Sequence, residues 1–597
     1  MSILLELKER FRKALAAVGS ESDDLLDCIR RSQDAKFGDY QANLAMPLGK
    51  RLRRPPREMA AELISRLDLA DLCHPPEIAG PGFINLRLKD EQLRERLSAA
   101  VSDPRLGVAA VAQPKTFVVD YSAPNVAKPM HVGHIRSTVI GDALCRVLRF
   151  LGHRVISDNH IGDWGTQFGM ILYGYRHFLD PEAYRQNPVE ELARLYRLVR
   201  RLMDHQTEEG VAAAEAELAR LSAEHPRINA AVLEETAKLH AADPENRRLW
   251  QEFLPYCEEE IERVYRRLHV RFDHTLGESF YEDRLAGMVG DLLRRGIARE
   301  SDGAICIFFE DQQTPLIVRK KDGAFLYGTT DLATIRYRME TWRPEAILYV
   351  VDHRQSLHFQ QLFAAARRLG YDQVELQHVK FGTVLADDGR PFRTRSGDTI
   401  GLEGLLDEAV RRALEIVTAN DDAKPSGPEL SEPQRRRVAE TVGIAALKYA
   451  DLSQNRASDY VFSYDKMLAM NGNTATYMQY AYARVRSIFT RGKIDAESLL
   501  AGPPTIVLTS PAERALGLEL LRFAEALELT VAEYRPNQLT AYLFELANRY
   551  STFFEQCPVL RAENEELRRS RLLLCLLTAR TIEQGLGLLG IEVVEKM

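Results

Sequence analysis

A chain of 597 residues is too long for one hydrophobic core, so three or four domains are expected. Its 45% hydrophobic and 28% charged content is that of a soluble globular protein, and no segment has the unbroken apolar run of a signal peptide or membrane span. A net charge of -7 argues against a protein coated in positive charge but leaves a nucleic-acid partner open, and seven scattered cysteines without a C-x-x-C pair exclude zinc spacing and favour a reducing, cytoplasmic setting.

In chain order, "MSILLELKERFRKALAAVG" predicts an amphipathic helix. "KFGDYQANLAM", the helix-like "PREMAAELISRL" and the strand Phe83-Ile84-Asn85-Leu86 behind the turn Gly80-Pro81-Gly82 complete an α+β domain over 1–108. Strands and helices then alternate over 109–425, which predicts a Rossmann-type domain built on a mostly parallel sheet. Near 180–255 that alternation is broken by Glu-, Arg- and Ala-rich sequence such as "VEELARLYRLVRRLM", which reads as an insertion of surface helices. The polar stretch "TANDDAKPSGPELSEPQ" reads as a linker, and 426–597 as an all-α helical bundle. The basic runs at 50–57, 390–395 and 435–437 fit solvated faces unless other features point to RNA.

The chemistry concentrates in "KPMHVGHIRST". Phe117-Val118-Val119-Asp120-Tyr121 predicts a buried strand, Pro129 marks a turn, and Ile135, Val139, Ala143 and Val147 recur at helical spacing. Strand, turn and helix are the usual entrance to a nucleotide site, where phosphates meet the positive end of a helix. Gly133 lets a flat adenine approach the backbone, and the imidazoles of His131 and His134 can donate to phosphate oxygens as charge develops on them.

Beyond these residues, "SAPNVAKPMHVGHIRSTVIGDAL" followed by "DNHIGDWGTQFG" resembles the class I arginyl-tRNA synthetases, with His131–His134 in the place of the HIGH motif. The resemblance runs along the chain, through "GPGFINLRL", "LYGTTDLATIRYR", "VVDHRQSLHFQQ", "LKYADLSQNRASDYVFSYDKML" and "GNTATYMQYAYARVRSI". It implies ATP, carried with Mg2+ as a phosphate-bridging ion and with no protein metal site, L-arginine, tRNA(Arg) and a monomer. It also implies that bound tRNA is needed before the amino acid is activated. One departure stands out. Where class I enzymes carry a KMSKS loop, this chain reads "GRPFRTRSGDT", with Arg393 and Arg395 and no lysine; the resemblance hands the missing charge to Lys128.

The resemblance also implies an arginine pocket. Tyr327 and Asp331, four apart, share a face of a helix beginning there, and a carboxylate can hold a planar guanidinium bidentately. Gln355 follows the strand "AILYVVD" at the carboxyl edge of the sheet. Asp120, Ser122 and Asn125 stand where the substrate amino group is held, although Ser and Asn also favour plain turns. For RNA, the resemblance implies that Gln41 and Asn43 contact the tRNA elbow from the 1–108 domain. Tyr477, Tyr480, Tyr482, Arg484 and Arg486 form a stripe that fits either anticodon stacking or a helical core. Two rivals remain: a HIGH-type nucleotidyl transferase that never handles RNA, for which the C-terminal helices are idle, and a non-catalytic tRNA-binding paralogue, for which His131, His134, Lys128 and Asp331 are idle.

Overall fold

A computed structural model describes residues 2–596 apart from 21, 127, 129, 208–215, 387, 391–400 and 426. Pro129, Arg393 and Arg395 therefore lie outside the described residues. The chain forms two compact units. The larger comprises 113–468 with 589–591, and the smaller comprises 1–112 with 469–588 and 592–597.

The larger unit is built on a five-stranded parallel sheet: β1 (Thr116–Asp120), β2 (Arg154–Asn159), β3 (His274–Thr275), β4 (Ala346–Tyr349) and β5 (Glu375–His378), in the order β5-β4-β1-β2-β3. Val118 of β1 sits between Ile347 and Ile156 in register, so the centre of the sheet is buried on both faces, as β-branched runs require. From β1 the chain moves outward to β2 and β3, then returns to β4 on the opposite side of β1. That reversal opens a crevice at the carboxyl ends of β1 and β4. Helix α1 (Val132–Phe150) connects β1 to β2 and passes so close to Tyr121 that a Cβ on Gly141 would lie 2.1 Å from the ring. Ser137 of α1 donates to the Val350 carbonyl at 2.6 Å, tying the helix to the end of β4.

Three features depart from the sequence reading. The parallel pattern is interrupted by an antiparallel meander of Arg299–Ser301, Ala304–Ile307 and Leu316–Arg319. The region 180–255 is helical as expected, but more than a surface: Trp250 donates to the Asp163 carbonyl at 2.9 Å and packs edge-on against Trp164, and the helix Pro244–Leu268 carries Tyr265 to the edge of β1. The stretch read as a linker is the tip of a helical hairpin between Leu402–Asp422 and Glu432–Leu452. Buried Asp421 organises it, accepting from the N–H groups of Glu429 and Leu430 at 3.0 and 3.2 Å and from Arg435 at 2.8 Å.

In the smaller unit an antiparallel sheet, Ile29–Arg31, Tyr40–Ala42, Phe83–Leu86 and Glu77–Ala79 in that spatial order, packs with the helices Ile3–Ala17 and Pro56–Arg66. Its core does not close within the first 112 residues, since Leu518 belongs to the same apolar cluster as Phe11, Tyr40 and Ile84. Polar contacts cross the same boundary. The Tyr40 hydroxyl donates to buried Glu525, and Arg514 reaches both Asp39 oxygens at 2.8 Å. Arg514 and Leu518 lie on the helix Pro511–Leu521 and Glu525 on Phe523–Ala532, which form the bundle with Ala475–Gly492, Asn537–Gln556 and Glu565–Leu588. All seven cysteines are free thiols, and no described helix is long and apolar enough to cross a membrane.

Candidate active site

Past β1 the backbone turns sharply. Val126 and Gly162 clasp this loop to the segment after β2: the Val126 N–H donates to the Gly162 carbonyl at 3.0 Å, and the Gly162 N–H to the Pro124 carbonyl at 2.9 Å. Asn125 accepts from Gln167 at 2.7 Å, and Lys128 stands exposed at the start of α1.

His131 is the N-cap of α1. Its Nδ1 accepts from the Gly133 N–H at 3.1 Å, while Nδ1 of His134 accepts from the His131 N–H at 3.0 Å. The two histidines thus form a reciprocal capping box, satisfying donors that a helix start leaves free. This fixes their chemistry. A neutral imidazole whose Nδ1 accepts carries its proton on Nε2, so both rings keep Nε2–H donors. Both are neutral at physiological pH. Burial, then the charges of Lys128 and Arg354, lowers His131 to about 4; burial, then His131 and Lys128, lowers His134 to about 3. Gly133 has a steric reason as well, since a Cβ there would sit 2.9 Å from Cε1 of His131.

On the other side of the crevice, helix α2 (Tyr327–Thr341) begins at Tyr327, and Tyr327 and Asp331 lie one turn apart as the spacing predicts. Tyr327 is 62% exposed; its ring meets His358 edge-on at 4.7 Å, and Nε2 of His358 lies 2.6 Å from Asp331 Oδ2. His358 belongs to helix α3 (Ser356–Arg368), whose N-cap is the exposed Gln355. Glu278 completes the acidic side: burial raises its carboxyl to about 7, opposed by His160 and reinforced by Asp163 and Asp331.

Asp120 and Ser122 are engaged by protein groups. Buried Arg338 of α2 donates to Asp120 Oδ2 at 2.6 Å and to Asp158 Oδ2 at 2.8 and 3.0 Å, locking α2 onto the ends of β1 and β2. Removing one member would strand a buried charge at a cost of about 3–5 kcal/mol. The Ser122 hydroxyl is enclosed by Thr138 and Tyr265. His358, Arg338, Glu278 and Tyr265 were not singled out in the sequence. Only His358, three residues after Gln355, carried a signal, as its neighbour on the next helical turn.

The expected RNA residues lie in the smaller unit. Gln41 donates to Asn85 at 2.8 Å, and Asn43 to Gln41 at 3.3 Å. Along Ala475–Gly492, Tyr480 is 41% exposed and Tyr482 only 4%, so the stripe divides between surface and core. Tyr477 donates to Asn548 at 3.2 Å, Arg484 stacks over Phe554 at 4.2 Å, and Arg486 lies 3.5 Å from Glu595.

A parallel sheet with its crevice at the switch point, and a histidine-capped helix at the crevice edge, define the catalytic domain of a class I tRNA synthetase. The family model described as tRNA synthetases class I (R), catalytic domain, matches residues 96–464; the arginyl tRNA synthetase N terminal domain matches 5–88, and the DALR anticodon binding domain 478–597. The arginine–tRNA ligase of Rhodopirellula baltica is 48% identical over 99% of each chain, and that of Erwinia tasmaniensis 43% identical over 100% of each. Among solved structures, arginyl-tRNA synthetase from Plasmodium falciparum aligns at a TM-score of 0.83 with 28% identity, over 100% of this chain and 99% of that one. The Thermus thermophilus enzyme aligns at 0.79 with 25% identity over 100% of both. The chain belongs to the arginine–tRNA ligases.

Proposed function

We propose that the chain joins L-arginine to the 3′ end of tRNA(Arg) in two steps at this crevice. An arginine carboxylate oxygen attacks the α-phosphorus of ATP, pyrophosphate leaves, and arginyl-adenylate forms. The terminal ribose hydroxyl of the tRNA then takes the arginyl group and AMP departs. No covalent protein intermediate is needed, and the protein contributes positioning and charge stabilisation.

The observation that carries this reading is the reciprocal cap of His131 and His134. Two neutral Nε2–H donors held at the positive end of a helix suit phosphate oxygens that gain charge as the displacement proceeds. The backbone of Gly133 offers adenine an approach without a side chain, and Lys128 supplies the point charge that Arg393 and Arg395 replace incompletely. The guanidinium of arginine is held between Tyr327, Asp331 and Glu278, with His358 orienting the Asp331 carboxylate. Asn125 and Gln355 hold the amino and carboxylate end, while Asp120 and Ser122 serve the same end through the loop they stabilise.

Magnesium accompanies ATP as a phosphate-bridging ion. Among the described residues no group of three or more His, Cys, Asp or Glu side chains forms a metal cage. Gln41 and Asn43 contact the tRNA elbow; Tyr477, Tyr480, Arg484 and Arg486 border the anticodon; and bound tRNA completes the site before arginine is activated. The domain divisions at 108 and 425, a monomeric state and a cytoplasmic location belong to the same reading.

Exchange of labelled pyrophosphate into ATP, run with each amino acid with and without tRNA, tests it. Arginine alone is expected to support exchange, and only with cognate tRNA present. A tRNA whose terminal adenosine cannot accept the amino acid should still activate. Exchange with another amino acid in preference to arginine would overturn the assignment, whereas vigorous exchange without RNA would remove only the tRNA dependence.

A further inference from the structure

The loop after β1 contains two consecutive non-glycine residues in left-handed backbone, Ser122 at φ 71° and Ala123 at φ 45°. L residues hold that conformation only where their surroundings impose it. Here a buried polar cluster does so. The Ser122 N–H donates to Ser137 Oγ at 2.8 Å, and the Ala123 N–H to Asn159 Oδ1 at 3.1 Å.

The second contact fixes the Asn159 amide, so its Nδ2 faces Tyr265 and donates to Oη at 3.1 Å. Tyr265 Oη lies 2.7 Å from Ser122 Oγ, which lies 2.8 Å from Thr138 Oγ1. Thr138 spends its own proton on the His134 carbonyl at 2.8 Å. Each hydroxyl has one proton, so the direction is forced: Asn159 donates to Tyr265, Tyr265 to Ser122, Ser122 to Thr138 and Thr138 to His134. Such a one-way chain strengthens each link. It joins β2, the strained loop and the first turns of α1, and its central member comes from the helix Pro244–Leu268.

We propose that Tyr265 is a positioning residue for amino-acid recognition: its hydroxyl keeps the Ser122–Ala123 turn in left-handed backbone and thereby aims Pro124 and Asn125 at the substrate. This rests on the arginine-site reading given above. Tyr265 is buried, so it acts through Ser122 rather than on the substrate itself.

The test is tRNA-supported pyrophosphate exchange by Tyr265→Phe, Ser122→Ala, the double variant and Asn125→Ala, each with its melting temperature. Tyr265→Phe should raise KM for arginine about tenfold, the scale expected when a substrate-positioning group shifts by a fraction of an ångström, with KM for ATP within about twofold and the melting temperature little changed. Ser122→Ala breaks the chain at the next link, so the double variant should be no worse than the poorer single one. Additive losses would overturn the proposal, as would a fall in melting temperature with parallel losses for arginine and ATP. An unchanged KM for arginine in Tyr265→Phe, beside a raised one in Asn125→Ala, would overturn it and leave the arginine site standing. An unchanged KM in Asn125→Ala would instead overturn the site reading on which it rests.

Discussion

The first turn of α1 is closed by its own side chains, whereas the helix Ala475–Gly492 takes its surfaces from its neighbours. In the first, His131, Gly133 and His134 bond to one another within four residues, and that bonding decides which ring nitrogen faces outward. In the second, Tyr480 and Tyr482 stand two residues apart with 41% and 4% exposure, a difference set by helices that come later in the chain. Chemistry organised by a local cap can be inferred from a short stretch. A recognition surface organised by packing depends on the whole bundle.

The comparison breaks first at the histidines. His131→Ala or His134→Ala should lower the exchange rate by about 10²–10³, the cost of one preorganised donor, and near-normal turnover in both would remove the assignment of these histidines to the HIGH motif. The cap itself contributes about 1 kcal/mol, so urea unfolding should show a small parallel loss. Next, Lys128→Ala should depress adenylate formation about 10²-fold while tRNA affinity, measured by filter binding, stays intact. Arg395→Lys in that background should recover part of the loss, and an active Lys128→Ala enzyme would assign the phosphate charge elsewhere.

In the helical region, Tyr482→Ala should cost about 3 kcal/mol of stability as a core truncation. Tyr480→Ala should leave stability within about 0.5 kcal/mol and weaken charging a few-fold through anticodon discrimination. Equal effects of the two would erase the contrast.

A smaller effect follows from Glu278. Its carboxyl is raised to about 7, so the folded protein keeps this proton longer than the unfolded chain. The stability it contributes is therefore complete below the ordinary carboxylate range and drains away as pH rises to about 7. Arginine binding favours the ionised form, so affinity measured by calorimetry should rise by up to about tenfold per pH unit below 7 and level above it. Glu278→Gln should flatten that profile.

The two histidines at a helix start, the strand before them and the helix face bearing Tyr327 and Asp331 were legible because each depends on neighbours within a turn or two, whereas the bonding of the histidines into a cap was not read. Asp331 and His358 are 27 residues apart, and Arg338 and Asp158 are 180 apart, so no local pattern announces either pair. Asp120 illustrates the same limit: a carboxylate at a strand end suggested a substrate contact, yet a guanidinium from α2 holds it. Composition misled at 418–434, where polar residues and prolines resemble a linker but Asp421 gathers them into a tight hairpin tip. The meander at 299–319 was hidden because its three short strands lie inside a stretch where strands and helices otherwise alternate.

The shared core of the smaller unit bears on how the protein is made. Phe11, Tyr40 and Ile84 emerge early from the ribosome, but Leu518 follows only about 430 residues after Ile84. At roughly 5–20 residues per second, about 20–90 seconds of translation pass before that core can close. During the wait the part of that core that Leu518 completes stays open to solvent. Nascent chains are thus most open to chaperone capture, and to premature degradation, during the synthesis of the intervening larger unit.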